Sequence, residues 1–119
     1  MKKILILLLL MVSTSVFAEF SVLEYDSMSK AEKDSLGIYI MGLGVSTKWM
    51  TAFEAVRNKS NKEYKNLFCE PNIGLNSSNY IDILERRINK IKSLNYDLDK
   101  TRIEVEIING LIDTFPCKK

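Results

Sequence analysis

The feature that most constrains this chain is its pair of cysteines, Cys69 and Cys117, the only two it has. Whether they can join depends on where the chain resides, because disulfides persist in oxidising compartments and rarely in the cytosol. The N-terminus bears on this directly. Met1, Lys2 and Lys3 give a short cationic start, Ile4 to Val12 is an unbroken apolar run, and residues 13–18 end in small side chains with Val16 and Ala18 at the recognition positions. This is the pattern of a secretory signal peptide over 1–18, cleaved after Ala18. The apolar run is well short of the ~20 residues a membrane-spanning helix needs, so no membrane association is expected after cleavage. In the exported chain, 19–119, Cys69 and Cys117 are expected to bond to each other. The alternatives are a catalytic thiol, which would want a His that the chain lacks, and a bridge between two chains. An intramolecular bond closing so long a loop contributes roughly 4 kcal/mol on chain-entropy grounds. That is comparable to the whole stability of a marginal small domain.

Export also changes the charge. The 119-residue sequence has 17 basic and 15 acidic residues, a formal charge of +2, and Lys2 and Lys3 account for the excess. The mature chain is electroneutral with interspersed signs, which leaves no phosphate-tracking surface and sets nucleic acid aside. Its size suits one domain with one core. Without His the commonest general base and metal ligand are missing, and two cysteines alone cannot build a zinc site. No metal or cofactor is expected.

Helical period dominates the rest. Residues 19–28 are mixed in character and read as a loose arm. Ser29 with Glu32 three residues later is a capping box, which opens a helix over 30–57. Leu36, Ile40, Leu43, Thr47 and Met50 form one apolar stripe on it; Ile38, Met41, Val45, Trp49, Ala52 and Val56 form a second. A helix apolar on two sides is either central to the domain or meets a partner subunit, and Trp49 reads as core. Gly37, Gly42 and Gly44 each cost about 1 kcal/mol inside a helix. Either a neighbouring helix approaches them closely, or the helix breaks near 42–44.

Residues 58–66 are polar and read as an exposed connection, followed by an extended segment over 67–71 and a turn at 71–74. Asn76, Ser77 or Ser78 caps a second long helix to about Leu94. Tyr80 or Ile81, Leu84, Ile88 and Ile91 form its buried stripe, with Asp82, Glu85, Arg86, Arg87 and Lys90 mostly on a solvated face. Asp97, Asp99 or Thr101 caps a last helix. Its core face is Ile103 or Val105, Ile108, Leu111 or Ile112, and Phe115, and Pro116 stops it. The fold class is therefore all-α, a small single-domain helical bundle stapled by one disulfide.

No catalytic constellation stands out. Glu104 and Glu106, or Asp97 and Asp99, lie two apart, a spacing that points them to different helix faces. Gly42-Leu43-Gly44 lacks the third glycine and the preceding strand of a phosphate loop. A binding protein is expected rather than an enzyme, and Tyr96, in a polar turn, is its best exposed aromatic.

Leu67-Phe68-Cys69-Glu70-Pro71, the capped helix starting a few residues later, and the terminal run from Gly110 to Phe115-Pro116-Cys117-Lys118 resemble the Rap/Tai type of type VI secretion immunity proteins. Tyr39-Ile40-Met41-Gly42 is similar to that family's first-helix Tyr-x-x-Gly element. The resemblance spans roughly 36–118. It implies a periplasmic all-α protein, often a homodimer, that binds and blocks a cognate cell-wall-degrading effector of the peptidoglycan amidase class. Many members carry a further Cys where this chain has Leu36 and Gly37, so only the link between Cys69 and Cys117 carries over. No family motif places the partner-binding residues. Asn95, Tyr96, Asp97 and Asp99, in the polar turn, are the expected contact. A periplasmic acid-stress chaperone, also small, helical and singly bridged, is the alternative.

Overall fold

The computed structural model describes residues 19–57, 66–71 and 74–118. Residues 1–18, where a signal peptide is expected, and most of the polar connection lie outside the described residues, as does part of the turn at 71–74. Among the described residues five helices follow in order: α1 Val22–Ser27, α2 Lys30–Ser35, α3 Gly37–Arg57, α4 Ser77–Ser93 and α5 Ile103–Thr114. The domain is all-α, with no strand among the described residues, and Cys69 is bonded to Cys117 across a Cα separation of 4.9 Å.

The core lies where α3, α4 and α5 meet. Ile40 of α3, Tyr80, Ile83, Leu84, Ile88 and Ile91 of α4, and Ile103, Ile107 and Leu111 of α5 are buried together. Two buried glycines set how closely α3 approaches its neighbours. A Cβ on Gly37 would sit 3.0 Å from Ile81 Cδ1, and one on Gly44 would collide with the Tyr80 ring and crowd Leu111. Gly110 of α5 does the same against Ile83 of α4. Close approach is thus the reason for Gly37 and Gly44, while Gly42 has nothing within 4 Å of the position its Cβ would take.

Several expectations need correction. The segment 19–28 is not a loose arm. Ser21 and Glu24 form a capping box, with the Glu24 N–H donating to Ser21 Oγ at 3.1 Å and the Ser21 N–H to Glu24 Oε2 at 2.8 Å. The helix it starts, α1, buries Val22 and Tyr25 completely. This segment is also tied to the end of the chain. The Val22 N–H donates to the Thr101 carbonyl at 2.8 Å, Leu23 to Leu98 at 3.1 Å, and Ile103 to Phe20 at 3.0 Å. The long first helix is interrupted at Leu36, where ψ is −9°, and runs unbroken through Gly42 and Gly44. The N-cap of α5 is Arg102, without a side-chain hydrogen bond, because Asp97 and Thr101 bond to each other instead. On α5, Ile107 is buried and Val105 is 54% exposed.

Arg87 is also misplaced by the solvated-face reading. Its Nε donates to Glu106 Oε2 at 2.6 Å and its Nη1 to Asp113 Oδ2 at 3.0 Å, and Lys90 Nζ joins Asp113 at 2.8 Å. Glu106 is 5% exposed, so this cluster fastens α4 to α5. A buried carboxylate needs such partners, since an unpaired charge there is strongly unfavourable.

The extended segment before α4 is pinned at three successive residues. Phe68 is buried, and Cys69 donates its N–H to the Phe115 carbonyl at 2.8 Å. Glu70 accepts from Lys48 Nζ of α3 at 2.7 Å and from the Tyr80 hydroxyl of α4 at 2.8 Å. Partial burial alone would raise the Glu70 carboxyl. The hydrogen bonds from Lys48 and Tyr80 outweigh burial and hold it below the usual carboxylate range.

Candidate functional site

The turn between α4 and α5 brings Asn95, Tyr96, Asp97 and Asp99 together on the surface. Its start is closed in a specific way. Asn95 is the only non-glycine residue with positive φ among those described, at 58°, and its N–H donates to the Lys92 carbonyl at 3.1 Å. The Tyr96 N–H reaches back to the Ile91 carbonyl at 3.2 Å. Those two bonds are a Schellman closure of α4, with Asn95 in the left-handed position where Asn is the usual substitute for Gly. The helix therefore ends in a fixed direction.

The second half of the turn is closed by Asp97. Its Oδ1 accepts from the Asp99 N–H at 3.2 Å, and its carbonyl accepts from Thr101 Oγ1 at 2.7 Å and from the Thr101 N–H at 3.1 Å. Such Asx-type bonding is why Asp suits a turn. The Lys100 ammonium, 3.2 Å from Asp97 Oδ2, holds that carboxyl below the usual range. Leu98 packs inward against the core and accepts from Leu23, so α1 braces the turn from beneath. What remains outside is Leu94, 56% exposed, and Tyr96, 55% exposed, beside Asp97 and Asp99. An aromatic ring with a hydroxyl tip, held on a braced turn, loses little freedom on contact with another protein.

A second surface is larger and departs from expectation. Trp49 is not core: it is 70% exposed, more so than Tyr96. Val56 of the same stripe and Phe53 beside it are similarly open, as is Met50, expected in the buried stripe. Only Met41 of the second stripe packs against the core. Nothing in the one-dimensional pattern distinguishes the two stripes. What decides is that α4 and α5 both cover the side of α3 that carries Ile40 and Gly44.

Several clefts of the described surface are open and mixed in lining, and one of about 360 Å³ along Met50, Leu67 and Ile108 is chiefly apolar. A second of about 360 Å³ is lined by Lys30, Lys33, Asp34, Ser78, Asp82 and Glu85, where Lys33 and Glu85 pair at 3.0 Å. Another, of about 230 Å³, lies along Phe68, Cys69, Glu70 and Lys48. Among the described residues no group of three His, Cys, Asp or Glu could hold a metal ion, and no helix is long and apolar enough to cross a membrane. No family model, curated protein or solved structure matches the chain.

Proposed function

We propose that this protein is an exported periplasmic immunity protein that binds a cognate cell-wall-degrading effector of the peptidoglycan amidase class and occludes its cleft. The observation that carries the reading is the braced turn at 94–99. It presents Leu94 and Tyr96 beside the Asp97 and Asp99 carboxylates on a backbone closed at both ends by hydrogen bonds. Inhibition by occlusion needs a rigid feature of this sort, because an ordered contact avoids the entropy of fixing a loop on binding. A tie between Cys69 and Cys117 suits an oxidising compartment, and the leader-like residues 1–18 agree with export. The resemblance around both cysteines supplies the class of target.

The test is protection in cells. Periplasmic production of the proposed amidase effector, sought in the neighbouring reading frame, should lyse the host, and co-production of this protein should prevent lysis. Tyr96→Asp should abolish protection while the protein accumulates to the same level. Lysis at an unchanged rate in the presence of the unaltered protein would sink the proposal.

A further inference from the structure

Glu104, in the first turn of α5, is held at one oxygen only. Its Oε1 accepts from the Phe20 N–H at 3.2 Å and from the Tyr39 hydroxyl of α3 at 2.9 Å. Its Oε2 is buried and accepts no hydrogen bond from the described residues. A buried carboxylate oxygen without a donor is unfavourable and uncommon in native folds. The backbone fixes what lies beside it. Ser21 pairs with Arg102 in an antiparallel bridge, and the Ile103 N–H donates to the Phe20 carbonyl at 3.0 Å. Phe20 is therefore clamped at the start of α5, its ring edge to face with Tyr39 at 6.2 Å. Glu19, exposed, is the next residue outward. Bond lengths keep its nitrogen within ~4 Å of the Phe20 nitrogen that already touches Oε1.

We propose that Glu104 is the binding site for the α-ammonium that leader removal creates at Glu19, so that processing itself completes the clasp between α1 and α5. This rests on the export reading above, with cleavage after Ala18. In the uncut chain the Glu19 nitrogen is an uncharged amide with one hydrogen. Hydrolysis of the Ala18–Glu19 bond gives the hydroxyl of water to the Ala18 carbonyl and its proton to the Glu19 nitrogen. The amine so formed takes a further proton from solvent at neutral pH, its ordinary value being near 8. The product is an ammonium with three donors on a short tether, and its bond to a carboxylate is charge-assisted. What selects it over a water or a free ion is that tether, which delivers the nitrogen at high effective concentration. The charged and titratable surroundings agree. Burial, Glu104 and the Glu19 carboxylate together push the Tyr39 hydroxyl up to about 12, so it remains a donor, and a positive charge beside two carboxylates is favoured. Arg102, two residues before Glu104, acts on Glu24. Before processing, residues 19–24 are held by the Ser21 and Glu24 capping box and by backbone bonds. Processing adds an ion pair to them, so the domain tightens only once its leader has done its work.

The test uses the full chain, exported and recovered oxidised from the periplasm, with its start read by mass spectrometry. NMR titration of the Glu19 α-proton should report an α-amine raised from the ordinary ~7.7–8.0 to about 9, and Glu104→Gln should return it to the ordinary range. A second form carries a Gly-Ser-Gly-Ser tail ahead of Glu19, which moves the ammonium away. Glu104→Gln should lower the melting temperature of the untailed form by about 4 °C or more, and leave the tailed form unchanged or slightly more stable, since it removes an unpaired charged oxygen. Because the folded-state value is raised, the advantage of the untailed form should be fully present below about pH 8 and be lost as pH rises through about 9. An α-amine that titrates in the ordinary range in the unaltered protein overturns the proposal, and so does an equal loss from Glu104→Gln in both forms. A start other than Glu19 overturns it through its premise of cleavage. A start at Glu19 with an ordinary α-amine overturns the ion pair alone and leaves export standing. No effector is present, so each outcome is independent of the protection assay.

Discussion

Gly42 and Gly44 stand on the same helix with opposite surroundings. A methyl group on Gly44 would enter space held by the Tyr80 ring and Leu111, whereas one on Gly42 would meet nothing within 4 Å. Gly44→Ala should therefore lower stability by about 1–3 kcal/mol through overpacking. Gly42→Ala should be neutral or raise it by up to about 1 kcal/mol, because alanine is the better helix former. Urea unfolding of the two variants checks the contrast; equal effects would contradict this account of α3. The sequence marks all the α3 glycines as needing compensation but carries no sign of which neighbour supplies it. Trp49 illustrates the same limit. Both apolar stripes of α3 obey helical period, and only the placement of α4 and α5 determines which is buried.

At the scale of elements, local chemistry was the most legible. The capping box at Ser29 and Glu32 forms as the spacing implies, with the Glu32 N–H bonding to Ser29 Oγ and the Ser29 N–H to Glu32 Oε2. Asn76 caps α4 in the same reciprocal way with Asn79. The Ser21 and Glu24 box carries an identical signal, yet the helix it opens is so short that periodicity alone gives it no support. Its stability comes from burying Val22 and Tyr25, a tertiary effect. The end of α4 was less legible, since Ser93-Leu94-Asn95-Tyr96 reads as a generic polar turn until Asn95 is seen at φ 58°. That geometry gives a prediction about the candidate site. Asn95→Gly should leave stability unchanged or slightly higher, while Asn95→Ala should cost about 1 kcal/mol because an ordinary side chain is strained there. Thermal melts decide it, and equal melting points for the two variants would mean that the turn is not held in this conformation.

For the molecule as a whole, the disulfide and the carboxylate network act over different conditions. The bond between Cys69 and Cys117 ties the segment before α4 to the end of α5, so its reduction should lower unfolding stability by about 2–4 kcal/mol. Denaturant titration with and without reductant measures this. Acid should act through Asp113, Glu70 and Asp97. Lys90 holds the Asp113 carboxyl below its ordinary value of 3.8, and Glu70 lies below 4.5 for the reasons given above. The folded state thus binds these protons less readily than the unfolded one, which stabilises it above the ordinary carboxylate values. That contribution is lost as pH falls through the lowered folded-state values. The melting temperature should therefore be nearly level from about pH 7 to 5 and decline below about pH 4. A melting temperature that rises on acidification would contradict the roles given to these ion pairs.

The class of fold was legible because every segment has helical period and the two cysteines limit how the ends can lie. The braced turn was legible as a polar, partly aromatic stretch, but its rigidity arises from backbone bonds to α1 and α4 that no local pattern records. The central claim concerns what that turn does, and an inhibition titration tests it most directly. Purified protein spanning residues 19–119 is added to the amidase proposed as its effector, and release of peptidoglycan fragments is followed. The account predicts saturating, stoichiometric inhibition by the unaltered protein and a loss of about 2 kcal/mol in affinity with Tyr96→Ala, with the melting temperature retained. Full hydrolysis in the presence of excess unaltered protein, or inhibition that Tyr96→Ala leaves intact, would contradict it.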